Sequence, residues 1–138
     1  MRGPCVFCAI AAGELPAAVV ARGDSFCAFL DQRPLFKGHV LVIPLPHARD
    51  LAELPPERAG PLFVEVRRIA RAVERGLGAD GTLVLANDKV SQSVAHLHVH
   101  VIPRRRGDGL RGFLWPRHAY ESEEERDEIA RRIAAALE

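Results

Sequence analysis

Gln92-Ser93-Val94-Ala95-His96-Leu97-His98-Val99-His100-Val101-Ile102-Pro103 is the stretch on which the fold turns. Three of the chain's six histidines fall in it, alternating strictly with Leu97, Val99 and Val101. A period of two marks a half-buried strand. A strand over 96–102, ended by Pro103, puts His96, His98 and His100 on one face. The aliphatic residues then lie on the other face, where a helix can cover them. Solvent-facing positions more readily carry Thr, Lys or Glu, so three histidines in register point to a site. One metal ion cannot take all three: residues i and i+4 of a strand lie about 13 Å apart, whereas zinc–nitrogen bonds are about 2.0–2.1 Å. The histidines therefore divide their labour.

Upstream, apolar runs over 17–21, 25–30 and 39–43 have strand length. Gly23-Asp24 separates the first two at hairpin distance, and Pro34 and Gly38 turn the chain before the third, so an antiparallel meander is expected. Residues 7–12 read as a short helix. Leu62, Val66, Ile69, Ala70, Val73 and Leu77 recur at steps of three and four and predict a helix with one apolar face. Pro55, Pro56 and Pro61 crowd its start, and Gly76 and Gly78 are suitable stops. A further strand is expected over 82–86. A final helix opens on the capping box Ser122-x-x-Glu125 and is expected to bury Ile129, Ile133 and Leu137. Strands grouped around one main helix mean an α+β fold with a five-stranded, mostly antiparallel sheet.

The 138 residues, 48% hydrophobic and 27% charged, predict one globular domain over 1–138 that needs no disulfides. A net charge of +1 argues against a nucleic-acid or membrane partner held by bulk electrostatics. No apolar run approaches the roughly 20 residues of a membrane span. Glu14 and Pro16 interrupt the N-terminal apolar stretch too early for a signal peptide, and a cytoplasmic protein is expected.

Cys5 and Cys8 are spaced C-x-x-C, while Cys27 sits alone in an apolar run and reads as a small buried hydrophobe. The pair supplies two thiolates at zinc-ligand spacing, with His47 and one histidine of the triplet available to complete a tetrahedron. A redox pair and plain packing remain open beside that reading; the redox motif expects a preceding strand. At least one histidine is left for chemistry. Neutral imidazole is nucleophilic near pH 7 and can take a phosphoryl or acyl group covalently. Gln92, Ser93 and nearby backbone amides are placed to hold the nonbridging oxygens of a phosphate, with Asn87 just upstream.

At these residues the sequence resembles the histidine triad superfamily of nucleotide hydrolases and transferases, whose signature is H-φ-H-φ-H-φ-φ with φ apolar. His96-Leu97-His98-Val99-His100-Val101-Ile102 meets it in full. Cys5-Val6-Phe7-Cys8, Gly13-Glu14-Leu15-Pro16, Ala28-Phe29-Leu30-Asp31 and Gly38-His39-Val40-Leu41-Val42-Ile43-Pro44 are similar to the family's blocks, in the family's order. The resemblance implies that His98 attacks the α-phosphorus of a purine nucleotide or nucleotide conjugate. A nucleotidyl-histidine would form and then be resolved by water or another acceptor. His100 and His39 would line the site and fix the ring's tautomer. Gln92 and Ser93 would meet the phosphate and leaving group, and Asn87 a phosphate. Asp31 would accept from both ribose hydroxyls, and Phe7, Ile10 and Leu30 would form the slot for the base. The zinc-bearing pattern makes Cys5, Cys8, His47 and His96 the ligands of a structural Zn2+ that takes no part in the chemistry. A homodimer across the 62–77 helix and its neighbouring strand is implied as well.

Departures from the pattern are Ser91 in place of a glycine, a short loop over 88–91, and Ala95 in place of a larger residue or proline. Arg104, Arg105 and Arg106, with the tail that follows, look more like the dinucleoside polyphosphate hydrolase branch than the small phosphoramidases. Either these arginines hold a polyphosphate chain or they form an exposed turn. The segment 112–116, with Trp115, could reach a neighbouring subunit's site. Two other functions stand beside the nucleotidyl enzyme: a non-catalytic nucleotide-binding sensor of the same fold, and metal-dependent hydrolysis at the histidine strand.

Overall fold

Val40–Pro44 (β3) is a run of aliphatic residues with every position buried, and it forms the middle of the sheet. The computed structural model describes residues 4–111 and 117–138. The segment 112–116, and the expectation attached to Trp115, lie outside the described residues. The chain up to Arg106 forms one compact unit and Gly107–Glu138 a second.

In the first unit the five strands stand in the order β1-β2-β3-β5-β4, all pairs antiparallel. They are β1 (Val19–Arg22), β2 (Phe26–Leu30), β3, β4 (Gly81–Leu85) and β5 (Val99–Arg104). The expected α+β architecture is the observed one. Alternation sorts the side chains into two clusters. Phe26, Ala28, Val40, Val42, Leu97, Val99 and Val101 meet Leu62, Val66, Ile69 and Val73 of helix α2 (Pro56–Leu77). Each of the larger side chains among these contributes about 1.5–3 kcal/mol. On the opposite face Cys27, Phe29, Leu41 and Ile43 pack with Phe7 and Ile10 of the short helix α1 (Val6–Ala11). Both sheet faces are thus covered, which explains why β2 and β3 are buried at nearly every position.

Strand β5 differs from the expectations at both its ends. Strand β5 begins at Val99, so only His100 of the triad lies in it. Its ladder with β3 ends at Val42↔Val99, because Pro44 has no N–H to extend it. The Leu97 amide goes instead to the Ala48 carbonyl at 2.7 Å. Pro103 does not end the strand: it sits opposite Thr82 of β4, beyond the reach of β3, where a missing donor costs little. Helix α2 starts at Pro56, a favoured first helical position, and carries Pro61 within it. Its stop is Gly78, left-handed at φ 63°.

In the second unit, helix α3 (Glu123–Ala135) is capped as expected, Ser122 Oγ accepting from the Glu125 amide at 3.1 Å. Its apolar side is a correction. None of its residues is buried, and Ile133 and Leu137 are 63% and 78% exposed. Capping and charge at its first turn set this helix, since it has no buried face.

Gly38 turns the chain into β3 at φ +102°, and a Cβ there would collide with Leu77 Cδ1 and meet Pro103 Cγ at 3.5 Å. Gly38→Ala is expected to lose about 2–4 kcal/mol through strain and overpacking, measured as a lower urea midpoint.

Candidate functional site

The face of the sheet that carries α1 opens into a cleft of about 360 Å³. Phe7 and Ile10 of α1, Phe29 of β2 and Leu41 of β3 make its apolar wall, and Asp31, His98 and His100 bring polar groups to it. Phe7 is fixed between two rings, edge-on to Phe29 at 5.3 Å and to His98 at 5.1 Å between centroids. Leu30 and Ser93 also line the cleft. An apolar slot with a few convergent polar groups is the usual make-up of a small-molecule site.

Hydrogen bonds fix the tautomers of the histidines. Burial holds His39 below its ordinary pKa, and holds His100 down to about 4, assisted by His98 and His39. Both rings are therefore neutral near pH 7. The Leu35 amide donates to His39 Nδ1 at 3.0 Å, so the His39 proton sits on Nε2. That proton goes to His100 Nδ1 at 2.9 Å, which places the His100 proton on Nε2. His100 Nε2 is buried and has no partner among the described residues, a spare donor beside the cleft. His98 Nδ1 donates to the His96 carbonyl at 2.7 Å, leaving Nε2 as the basic, nucleophilic atom. Asp31 accepts from the Arg33 amide through Oδ1 at 2.9 Å and keeps Oδ2 3.7 Å from His39 Nε2. It is a turn residue and a cleft carboxylate at once. Asp31, His39 and His100 are close enough together to hold a cation. The Leu35 bond argues otherwise, since it leaves His39 Nε2 protonated and without a lone pair to give.

The other cluster has the opposite property. One donor atom each of Cys5, Cys8, His47 and His96 lies within 4.8 Å of the rest. Cys5 Sγ is 3.3 Å from His96 Nδ1, and Cys8 Sγ is 3.3 Å from His47 Nδ1 and 3.6 Å from His96 Nδ1. Ligands of a tetrahedral zinc stand roughly 3.5 Å apart, given its ordinary bond lengths. His96 Nε2 donates to the Pro44 carbonyl at 2.9 Å, so Nδ1 presents its lone pair to the thiols. The donor set and spacing fit a metal. Burial and the neighbouring Cys5 push the Cys8 thiol up to about 11, which is the reverse of an activated redox cysteine.

The HIT domain, as a sequence family, matches residues 12–107. The chain belongs to the HIT family. A crystal structure of a HIT-family member from Bacillus subtilis superposes with a TM-score of 0.89 at 39% identity, covering 99% of each chain. A Zn-bound histidine triad protein from Mycobacterium smegmatis gives a TM-score of 0.74 at 40% identity, covering 95% of this chain and 96% of that one. Among named relatives, adenosine 5'-monophosphoramidase hnt1 of Schizosaccharomyces pombe is 34% identical over 122 residues, 87% of this chain and 89% of its own.

Not every expected site residue of this HIT protein reaches the cleft. Gln92 is committed elsewhere: its Oε1 accepts from the Lys89 amide at 2.9 Å and its Nε2 donates to the Arg49 carbonyl at 2.7 Å. Asn87 is exposed just past β4 and is not a cleft wall. The 88–91 loop holds Lys89 and Ser91 at φ 71° and 59°. Ser91 thus keeps a left-handed backbone that a glycine would adopt without strain. Arg105 Nη2 donates to the Leu77 carbonyl at 2.8 Å, and the Arg106 amide donates to Asp80 Oδ2 at 2.8 Å. The Arg105 side chain therefore ties the far end of β5 to the end of α2, and the Arg106 backbone is held by the residue before β4. Phe29, Leu41, Val94 and Arg33 were not anticipated as cleft residues. Phe29 and Leu41 were reachable from the alternation that puts them on the histidine face; Arg33 had no signal beyond its nearness to Asp31.

The depressed pKa values set a pH dependence. His39 and His100 bind fewer protons folded than unfolded, so their contribution to stability is complete above about pH 6.5, the ordinary histidine value. It is lost as pH falls toward 4. The thermal midpoint is expected to drop over that interval, and His100→Gln to flatten part of the slope.

Proposed function

We propose that this HIT protein is a nucleotidyl hydrolase or transferase that attacks the α-phosphorus of purine nucleotide conjugates through His98. The observation that carries the reading is the 2.7 Å bond from His98 Nδ1 to the His96 carbonyl in a ring that lines the cleft. It directs the remaining lone pair to Nε2 without the help of a carboxylate.

In the proposed step Nε2 bonds to phosphorus and the bond to the leaving group breaks, its electron pair departing with that group. A water or another acceptor then displaces His98 and restores the free ring. His100 Nε2–H supports the charge building on a nonbridging oxygen, since it is a buried donor with nothing else to bind. His39 keeps that proton on Nε2 through its own bond to His100 Nδ1. Asp31 takes the ribose hydroxyls through Oδ2, and Phe7, Ile10 and Leu30 sandwich the base. Ser93 lies beside the leaving group. The roles of Gln92 and Asn87 at the phosphate require Gln92 to release its backbone partners on binding. The name of the Schizosaccharomyces pombe relative puts an adenosine phosphoramidate first among the substrates to test.

Cys5, Cys8, His47 and His96 would hold Zn2+, which when bound supplies a rigid tetrahedral cross-link and no Lewis-acid chemistry. Cys5 also caps α1, its Sγ accepting from the Cys8 amide at 3.4 Å. The cluster thereby joins the helix that carries Phe7 to the residues leading into β5.

His98→Ala is expected to cut turnover of adenosine phosphoramidate by about 10³-fold or more while changing adenosine monophosphate affinity by only a few fold. Denaturing mass spectrometry of the wild type under turnover should capture the nucleotidylated chain. Undiminished turnover in the variant would overturn the reading. Chelation is expected to lower the thermal midpoint by several degrees, with recovery on zinc addition; a midpoint indifferent to both would remove the metal assignment and leave the His98 chemistry standing.

A further inference from the structure

On the sheet face opposite the cleft, helix α2 and strand β1 enclose a groove of about 520 Å³. Arg67, Arg68, Arg71 and Arg75 line it from α2, and no acidic residue does. Arg68 is held by Glu65 in an i,i+3 ion pair. Arg67, Arg71 and Arg75 are exposed and have no ion pair among the described residues. They follow one another at i,i+4, a spacing at which like charges destabilise a helix. Ala21 of β1 and Ala72 of α2 line the groove beside them, and their small side chains leave room between the guanidinium groups and the strand.

We propose that this groove binds a short linear oligophosphate. Guanidinium forks match phosphate oxygens bidentately, and three unpaired forks on one helix face supply the countercharge such a chain needs. The length of the row sets the length of the ligand. From Arg67 to Arg75 the helix rises about 12 Å, enough for a chain of a few phosphates. It offers fewer charges than the roughly six to ten phosphate contacts of a strongly salt-dependent nucleic-acid binder. An extended acidic peptide adding to β1 is disfavoured, because the register of β1 on β2 slips between Val19 and Ala21 and so breaks the edge. The site does not depend on the chemistry proposed for His98: it lies on the α2 side of the sheet and shares no residue with the cleft.

Tripolyphosphate and adenosine triphosphate, titrated into the ¹⁵N-labelled full chain at low salt, distinguish the possible sources. Tripolyphosphate is expected to shift backbone amides over 67–75 and the arginine Nε–H signals saturably, leaving the histidine rings unmoved. If adenosine triphosphate binds the helix more tightly and also shifts Val20 and Ala21, the ligand is a nucleoside polyphosphate; equal affinity assigns the bare phosphate chain. The double variant Arg71→Ala/Arg75→Ala is expected to weaken binding by at least about tenfold with a thermal midpoint that does not fall. Arg71→Lys/Arg75→Lys should fall between the two, keeping charge without the fork. Unsaturable shifts over 67–75, or equal affinity in the double alanine variant, would overturn the proposal.

Discussion

The contact on which the site depends is the one between His98 Nδ1 and the carbonyl of His96. A histidine two residues further along an ideal strand cannot reach that oxygen with its ring, because a strand directs its carbonyls sideways into the ladder. The bond exists because β5 has not yet begun. Residues 96–98 precede the ladder, Pro44 offers no amide to extend it, and the Leu97 amide turns to Ala48. Pro44 stands opposite Leu97 in this register and β4 ends at Leu85, opposite His100, so no strand claims the His96 carbonyl and it is free to take the His98 ring.

His96 is the joint between two regions. Its Nδ1 faces the thiols of Cys5 and Cys8, its Nε2 donates to the Pro44 carbonyl, and its own carbonyl accepts from His98. A fully buried side chain with three directed contacts has little freedom to rotate. Rigidity at this residue passes directly to the orientation of the next-but-one ring, and a cross-link at the cysteines would add to it by fixing α1 and hence Phe7.

Period-two alternation read from the sequence located both the sheet and the histidine face, because it survives even where the ladder does not: Leu97 still packs beneath α2 although it lies outside β5. The C-x-x-C spacing pointed to Cys5, Cys8, His47 and one histidine of the triplet, and the family resemblance singled out His96, the four residues whose donor atoms the fold brings together. What the sequence concealed were contacts made through backbone atoms. The Leu35 amide that sets the His39 tautomer and the Pro44 carbonyl that orients His96 have no side-chain signature. Nor does residue type reveal that Gln92 is engaged by Lys89 and Arg49. The apolar side of α3 was misjudged for another reason: a 3.6-residue pattern says which face is apolar, but not that anything covers it.

Charge placement bears on the substrate. The arginines that resemble a polyphosphate clamp in the sequence sit at the opposite end of β5 from His100. With a rise of about 3.3 Å per residue, Arg104 is already some 13 Å away, Arg105 and Arg106 lie further along, and the Arg105 guanidinium is tied to the Leu77 carbonyl. Around the cleft itself, Arg33 is the one cationic side chain among the described lining residues. A leaving group carrying several negative charges would find little to neutralise it there, whereas a neutral or singly charged group would need no such countercharge. Under the chemistry proposed for His98, that distribution of charge suits a nucleoside phosphoramidate or another small conjugate better than a dinucleoside polyphosphate.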